Sequence, residues 1–135
     1  MIIQAARAYL GVPFRHQGRT RRGVDCVGLV VLSATDAGYA IADRTDYSHR
    51  LTENELLNGI LSHCDSVTSP QPGDIALFQL TNDQQHCAVV TAIDPVYILH
   101  AYAPLRKVVE HRMPQGGIDL YVNRTTLHGY YRLKA

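Results

Sequence analysis

Beyond Asp74 the hydrophobic period of the chain changes, and no other feature bounds the fold as tightly. DIALFQL (74–80), HCAVVTAI (86–93), VYILHAY (96–102) and KVVEHR (107–112) are short β-rich runs split by TNDQQ, DP and APLR. LHGYYRL (127–133) reads as a closing strand, and GGIDLYVN (116–123) fits a short helix or a strand equally well. Before Asp74 the pattern is helical. Ile2, Ala5, Ala6, Tyr9 and Leu10 form one side of a helix over Ile2–Leu10 that Gly11 and Pro13 end. Asp25 is a good N-cap for a second helix carrying Val27, Val30, Val31 and Ala34, with Gly38 as its stop. Thr52 and Glu55 make a capping box for a third helix to about Ser62, and SPQPGD is a turn. Helices followed by an antiparallel meander make the expected class α+β.

Composition narrows what such a chain does. At 135 residues, 46% hydrophobic and 19% charged, it is expected to be one domain, 1–135, with one core. A formal net charge of +1 gives no global argument for nucleic acid or a membrane surface. No apolar run reaches the length of a membrane span, and the first residues lack the pattern of a signal peptide. Synthesis in the cytoplasm without an export signal of its own is expected. Three cysteines, Cys26, Cys64 and Cys87, form no CxxC pair, and an odd number leaves at least one thiol free.

Cys26 follows the N-cap, so it is the first residue of its helix. Unpaired backbone N–H groups and the positive end of the dipole favour a thiolate there. A small buried hydrophobe is the alternative at that position. A nucleophilic thiol needs a base, and the base needs a third group to fix its tautomer. His86 opens one strand and His100 lies in the next, where neighbouring antiparallel strands can set them side by side. Alternation puts His86, Ala88 and Val90 on one face and Cys87, Val89 and Thr91 on the other, which makes Cys87 a core residue. Arg15, Arg19, Arg21 and Arg22 fall within eight positions, as a solvated loop or an anion-binding rim.

These motifs, in this order, carry a resemblance. YLGVPFRHQGRTRRGVDCVGLV resembles the start of the NlpC/P60 cysteine peptidase family, with its G-x-P-[YF] turn, polar loop and D-C-x-G-[LF]-[VI] helix start. QPGDIALF, HCAVV and ILHA resemble the three strands that follow in that family. RHQG and the ending HGYYRL are most similar to the subgroup found in phage tails and gene transfer agents. The resemblance implies a papain-like core, with N-terminal helices packed on an antiparallel meander or partly open barrel. It implies a triad of Cys26 as nucleophile, His86 as base and His100 as orienter, with no cofactor and no metal. His16 stands where the family usually carries a Tyr, so His16, Gln17 and Asp25 become the candidate oxyanion or substrate contacts, with the Cys26 N–H as a further donor. Arg21 and Arg22 are candidates to pair with substrate carboxylates.

The function so implied is hydrolysis of an amide in peptidoglycan stem peptides, between D-glutamate and a diamino acid, through an acyl-enzyme on Cys26. The implied partners are the stem peptide and phage-tail or tail-like hub proteins, with no nucleic acid and no membrane span. The implied location is a virion tail or tail-like particle acting at the cell wall. A structural tail-assembly protein with an inactive or secondary site is the main alternative. A metal module of Cys26, Cys64, His86 and His100 lacks the closely spaced ligand pairs that zinc sites use.

Overall fold

The computed structural model describes residues 1–43, 59, 62–79, 85–113 and 126–134. Two helices, α1 (Ile2–Arg7) and α2 (Cys26–Asp36), pack against each other and lie on one face of a six-stranded sheet. The strands of that sheet are β3 (Cys64–Val67), β4 (Ile75–Gln79), β5 (Gln85–Ala92), β6 (Tyr97–Tyr102), β7 (Lys107–Arg112) and β8 (Thr126–Leu133). All pairings are antiparallel, in the order β3-β8-β4-β5-β6-β7. The architecture is α+β, and among the described residues the sheet is open, with β3 and β7 at its edges.

The β runs read from the sequence appear as β4 to β8, but the meander is incomplete as a description. β8 returns to lie between β3 and β4 instead of extending past β7. β3 was not anticipated. Nor was a two-residue hairpin, β1 (Arg19–Thr20) with β2 (Gly23–Val24), inside the segment read as loop. α1 is shorter than expected, ending at the Ala8 C-cap; Gly11, at φ 83°, makes the turn beyond it. α2 begins and ends as its caps suggest: Asp25 precedes it, and Gly38 takes φ 98° just after it. The capping box at Thr52 and Glu55, the TNDQQ turn and GGIDLYVN lie at least in part outside the described residues.

The sheet buries both faces. On the helix side Leu29 and Ala34 of α2, Ala6 of α1 and Tyr9 just beyond it meet Cys87, Val89, Leu99, Ala101 and Val108. On the other side Phe78, Ala88, Val90 and Ile98 form a second cluster. Such two-sided burial explains why these strands read as near-continuous apolar runs and not as alternating ones. It also fixes the register, because a one-residue slip would exchange the two faces.

Candidate active site

The N-terminus of α2 is built around one carboxylate. Asp25 Oδ1 accepts from the Gly28 backbone N–H at 2.7 Å and from Arg19 Nη1 at 3.2 Å, while Oδ2 accepts from the Gln17 N–H at 2.8 Å. One buried side chain thus caps the helix and ties the loop at His16–Gly18 against its first turn. Gln17 adopts φ 59° to meet it. The loop comes so close that a Cβ on Gly28 would collide with the Gly18 carbonyl oxygen, which explains the glycine of D-C-x-G. Arg19 braces the arrangement from outside, with a second ion pair to Asp43 at 2.9 Å.

Cys26, buried at the first position of α2, therefore faces a rigid helix start. Its thiol is lowered to about 5. A hydrogen bond from Cys87 is the largest cause; a hydrogen bond and the charge of His86 add to it, and burial and the charge of Asp25 oppose it. The Cys87 S–H also faces the Cys26 carbonyl oxygen at 3.3 Å. Alternation was right to place Cys87 opposite His86, but the Cys87 face is the one α2 covers. Cys87 therefore lies against the thiol, and its own ionisation is pushed well up by Cys26 and burial. Cys64 is remote, buried in β3, and pushed up to about 11 by burial, Asp65 and Asp74.

Three imidazoles extend from the other side of the sheet. Register pairs His86 with Phe78, His111 with Ile98 and His100 with Val109, which sets all three rings on the Phe78 and Ile98 face. His86 Nε2 lies 2.7 Å from His100 Nδ1, and His100 Nε2 lies 2.9 Å from His111 Nε2. The chain ends where His111 Nδ1 meets the Arg112 carbonyl oxygen at 2.9 Å. Tyr102 stacks on His100, with ring centroids 4.9 Å apart and planes at 21°. Burial, then the charges of His86 and His111, push His100 well below the ordinary histidine range, so it is neutral at pH 7.

The structure thus brings Cys26, His86 and His100 together and adds two residues the sequence reading did not single out for chemistry, Cys87 and His111. Gln17 is held at the site by its backbone, with His16 beside it. Asp25 is not available as a substrate contact: it is 4% exposed, and both its oxygens are engaged in the frame of the site. Among the arginines, Arg19 serves that frame. Arg21 donates to the Ala8 carbonyl at 3.0 Å with its guanidinium 4.6 Å over the Tyr9 ring, and Arg22 is exposed. Among the described residues no cluster of His, Cys, Asp and Glu is arranged to hold a metal ion.

Residues 11–119 match the NlpC/P60 family. The fold is shared with solved structures, among them the following two. The NlpC/p60 domain of the peptidoglycan hydrolase SagA is 22% identical, with a TM-score of 0.54 over 82% of this chain and 86% of that one. The P60 domain of the M. avium subspecies paratuberculosis antigen MAP1204 is 14% identical, with a TM-score of 0.59 over 98% of this chain and 90% of that one. No curated protein gives a significant sequence match.

Proposed function

This chain belongs to the NlpC/P60 family of cysteine peptidases, and from that premise we propose that it hydrolyses an amide of bacterial peptidoglycan stem peptides, the one joining D-glutamate to a diamino acid. The observation that carries the reading is the convergence of a lowered Cys26 thiol, His86 against it and a neutral His100 behind His86. Cys26 Sγ, as thiolate, attacks the amide carbonyl carbon, and the C–S bond forms while the carbonyl oxygen takes the negative charge. The Cys26 N–H, left without an intrahelical partner at the first helical position, is a donor for that oxygen, and the His16–Gln17 loop supplies others. His86 gives its proton to the leaving nitrogen as the C–N bond breaks. Water then attacks the thioester, His86 takes its proton, and the thiolate leaves. His100 keeps the His86 ring oriented through both steps.

Arg21 and Arg22 are the candidates to pair with stem-peptide carboxylates; such exposed pairs weaken with salt. Delivery by a phage tail or tail-like particle, through hub proteins, belongs to the same proposal and rests on the RHQG and HGYYRL resemblance. The test is digestion of purified peptidoglycan by the wild-type protein and by Cys26→Ala, with mass spectrometry of the products. New D-glutamate carboxyl ends only with the wild type are expected. Equal products from both proteins, or cuts confined to another bond, would refute it.

A further inference from the structure

We infer that His111 is a positioning residue which, through His100, sets the tautomer of His86, with the backbone carbonyl of Arg112 as the fixed end of the relay. The inference rests on the reading of Cys26 and His86 as nucleophile and base. It follows from which atoms are able to donate.

A carbonyl oxygen only accepts, so His111 Nδ1, 2.9 Å from the Arg112 oxygen, carries a proton. In its neutral form the His111 imidazole has one N–H, so its Nε2 then presents a lone pair. His100 Nε2, 2.9 Å away, must then donate to it. His100 is fully buried between two other imidazoles and under Tyr102, a setting that keeps it neutral. Its Nδ1 is therefore a lone pair too, and His86 Nε2, 2.7 Å away, donates to that. With Nε2 committed, Nδ1 is the nitrogen of His86 left to exchange a proton with Cys26. Each donation runs one way, and the direction is fixed at a main-chain atom that has no alternative protonation state.

Register makes the relay possible. His100 and His111 lie on adjacent antiparallel strands, displaced by two residues on one face, at the diagonal distance long side chains span. A donor in place of the His111 lone pair would reverse every step and leave His86 with a proton on the nitrogen that faces the thiol. Loss of the lone pair without replacement would leave a buried His100 N–H unpaired and the tautomer unspecified. A neutral acceptor of similar reach would preserve the relay, and the Gln side-chain oxygen is one.

The experiment combines nitrogen NMR of ¹⁵N-histidine-labelled wild type with two variants, His111→Gln and His111→Leu. In the wild type His100 is expected to be protonated at Nε2 and bare at Nδ1. His111→Leu is expected to lower kcat on a soluble stem peptide by about tenfold at unchanged KM, the size of effect that one unpaired buried donor produces. It is also expected to raise the pH midpoint of Cys26 alkylation by iodoacetamide. His111→Gln is expected to stay near the wild type in both. A His100 proton found on Nδ1 would overturn the inference. So would a Leu variant with wild-type kcat and midpoint, or a Gln variant as impaired as Leu, which would reduce His111 to packing. The NMR and alkylation need no peptide substrate, so failure of the relay and failure of the peptidoglycan reading give different results.

Discussion

Replacing Asp25 by Asn separates the two things this carboxylate does: it builds the helix start, and its charge bears on the thiol. Asn caps a helix as well as Asp does, so the bond to the Gly28 N–H survives. One amide oxygen cannot also serve the Gln17 N–H, however, and the amide NH₂ then points at that donor. A buried donor left unpaired costs about 1–3 kcal/mol. The lost Arg19 pair adds no more than about 1 kcal/mol, because Asp43 still holds that guanidinium. The sum is about 1–4 kcal/mol, or roughly 4–14 °C in Tm for a chain of this size. The thiol moves the opposite way to what general damage would give. Asp25 charge opposes ionisation of Cys26, so its removal shifts the alkylation midpoint further down from about 5. Calorimetry reads the first effect and the rate of iodoacetamide labelling against pH reads the second. A variant with wild-type Tm would show that the carboxylate does not brace the loop, and a midpoint that rises would show that cap geometry, not charge, governs the thiol.

Three further outcomes are expected. At pH 7 Cys26 should label with iodoacetamide much faster than Cys64 or Cys87, its rate falling only as pH drops through about 5, since its lowered thiol is ionised above that value while the other two are pushed up; peptide mass spectrometry checks it, and equal labelling of the three would refute it. Cys87→Ala should raise the Cys26 midpoint by removing the largest cause that lowers it, whereas Cys87→Ser, which keeps a donor, should hold it nearer the wild type; the same labelling rates decide. Gly28→Ala should destabilise by about 1–3 kcal/mol despite the better helix propensity of Ala, because the new methyl meets backbone at Gly18 and the carboxylate of Asp25, and urea unfolding at unchanged or raised midpoint would contradict the close approach.

Much of the fold was legible because its signals are local. The Asp25 cap, the Gly38 stop and the apolar runs that became β4 to β8 each depend on a few adjacent residues. What was not legible is nonlocal. β3 has the sequence CDSV with two exposed polar residues at its centre, and it is a strand because β8 pairs with it from Leu133 back to Tyr130. The hairpin at Arg19–Thr20 and Gly23–Val24 is too short to show a period. It is held in part by the Arg15 N–H to the Val24 carbonyl and the Val24 N–H to the Pro13 carbonyl. Strand order is likewise absent from any local pattern, so a meander was the natural expectation and the return of β8 beside β4 was not.

The candidate site divides along the same line. Cys26, His86 and His100 were each named from a short motif, and alternation correctly separated His86 from Cys87. Alternation says only that two side chains oppose each other; which face receives α2 is settled by tertiary packing, and that makes Cys87, a core residue as expected, also a neighbour of the thiol. The arginines show the same limit. Four in eight positions look alike in sequence, yet Arg19 is built into the frame by Asp25 and Asp43, Arg21 rests on Tyr9, and Arg22 is exposed. His111 had no signal at all, because the run KVVEHR marks it as one more strand residue. Its place beside His100 follows from the register of β6 on β7, and the direction of its proton from a carbonyl one residue further on. The residue types of the proposed triad can thus be read one motif at a time, while the tautomer inferred for His86 is a property of three strands in register.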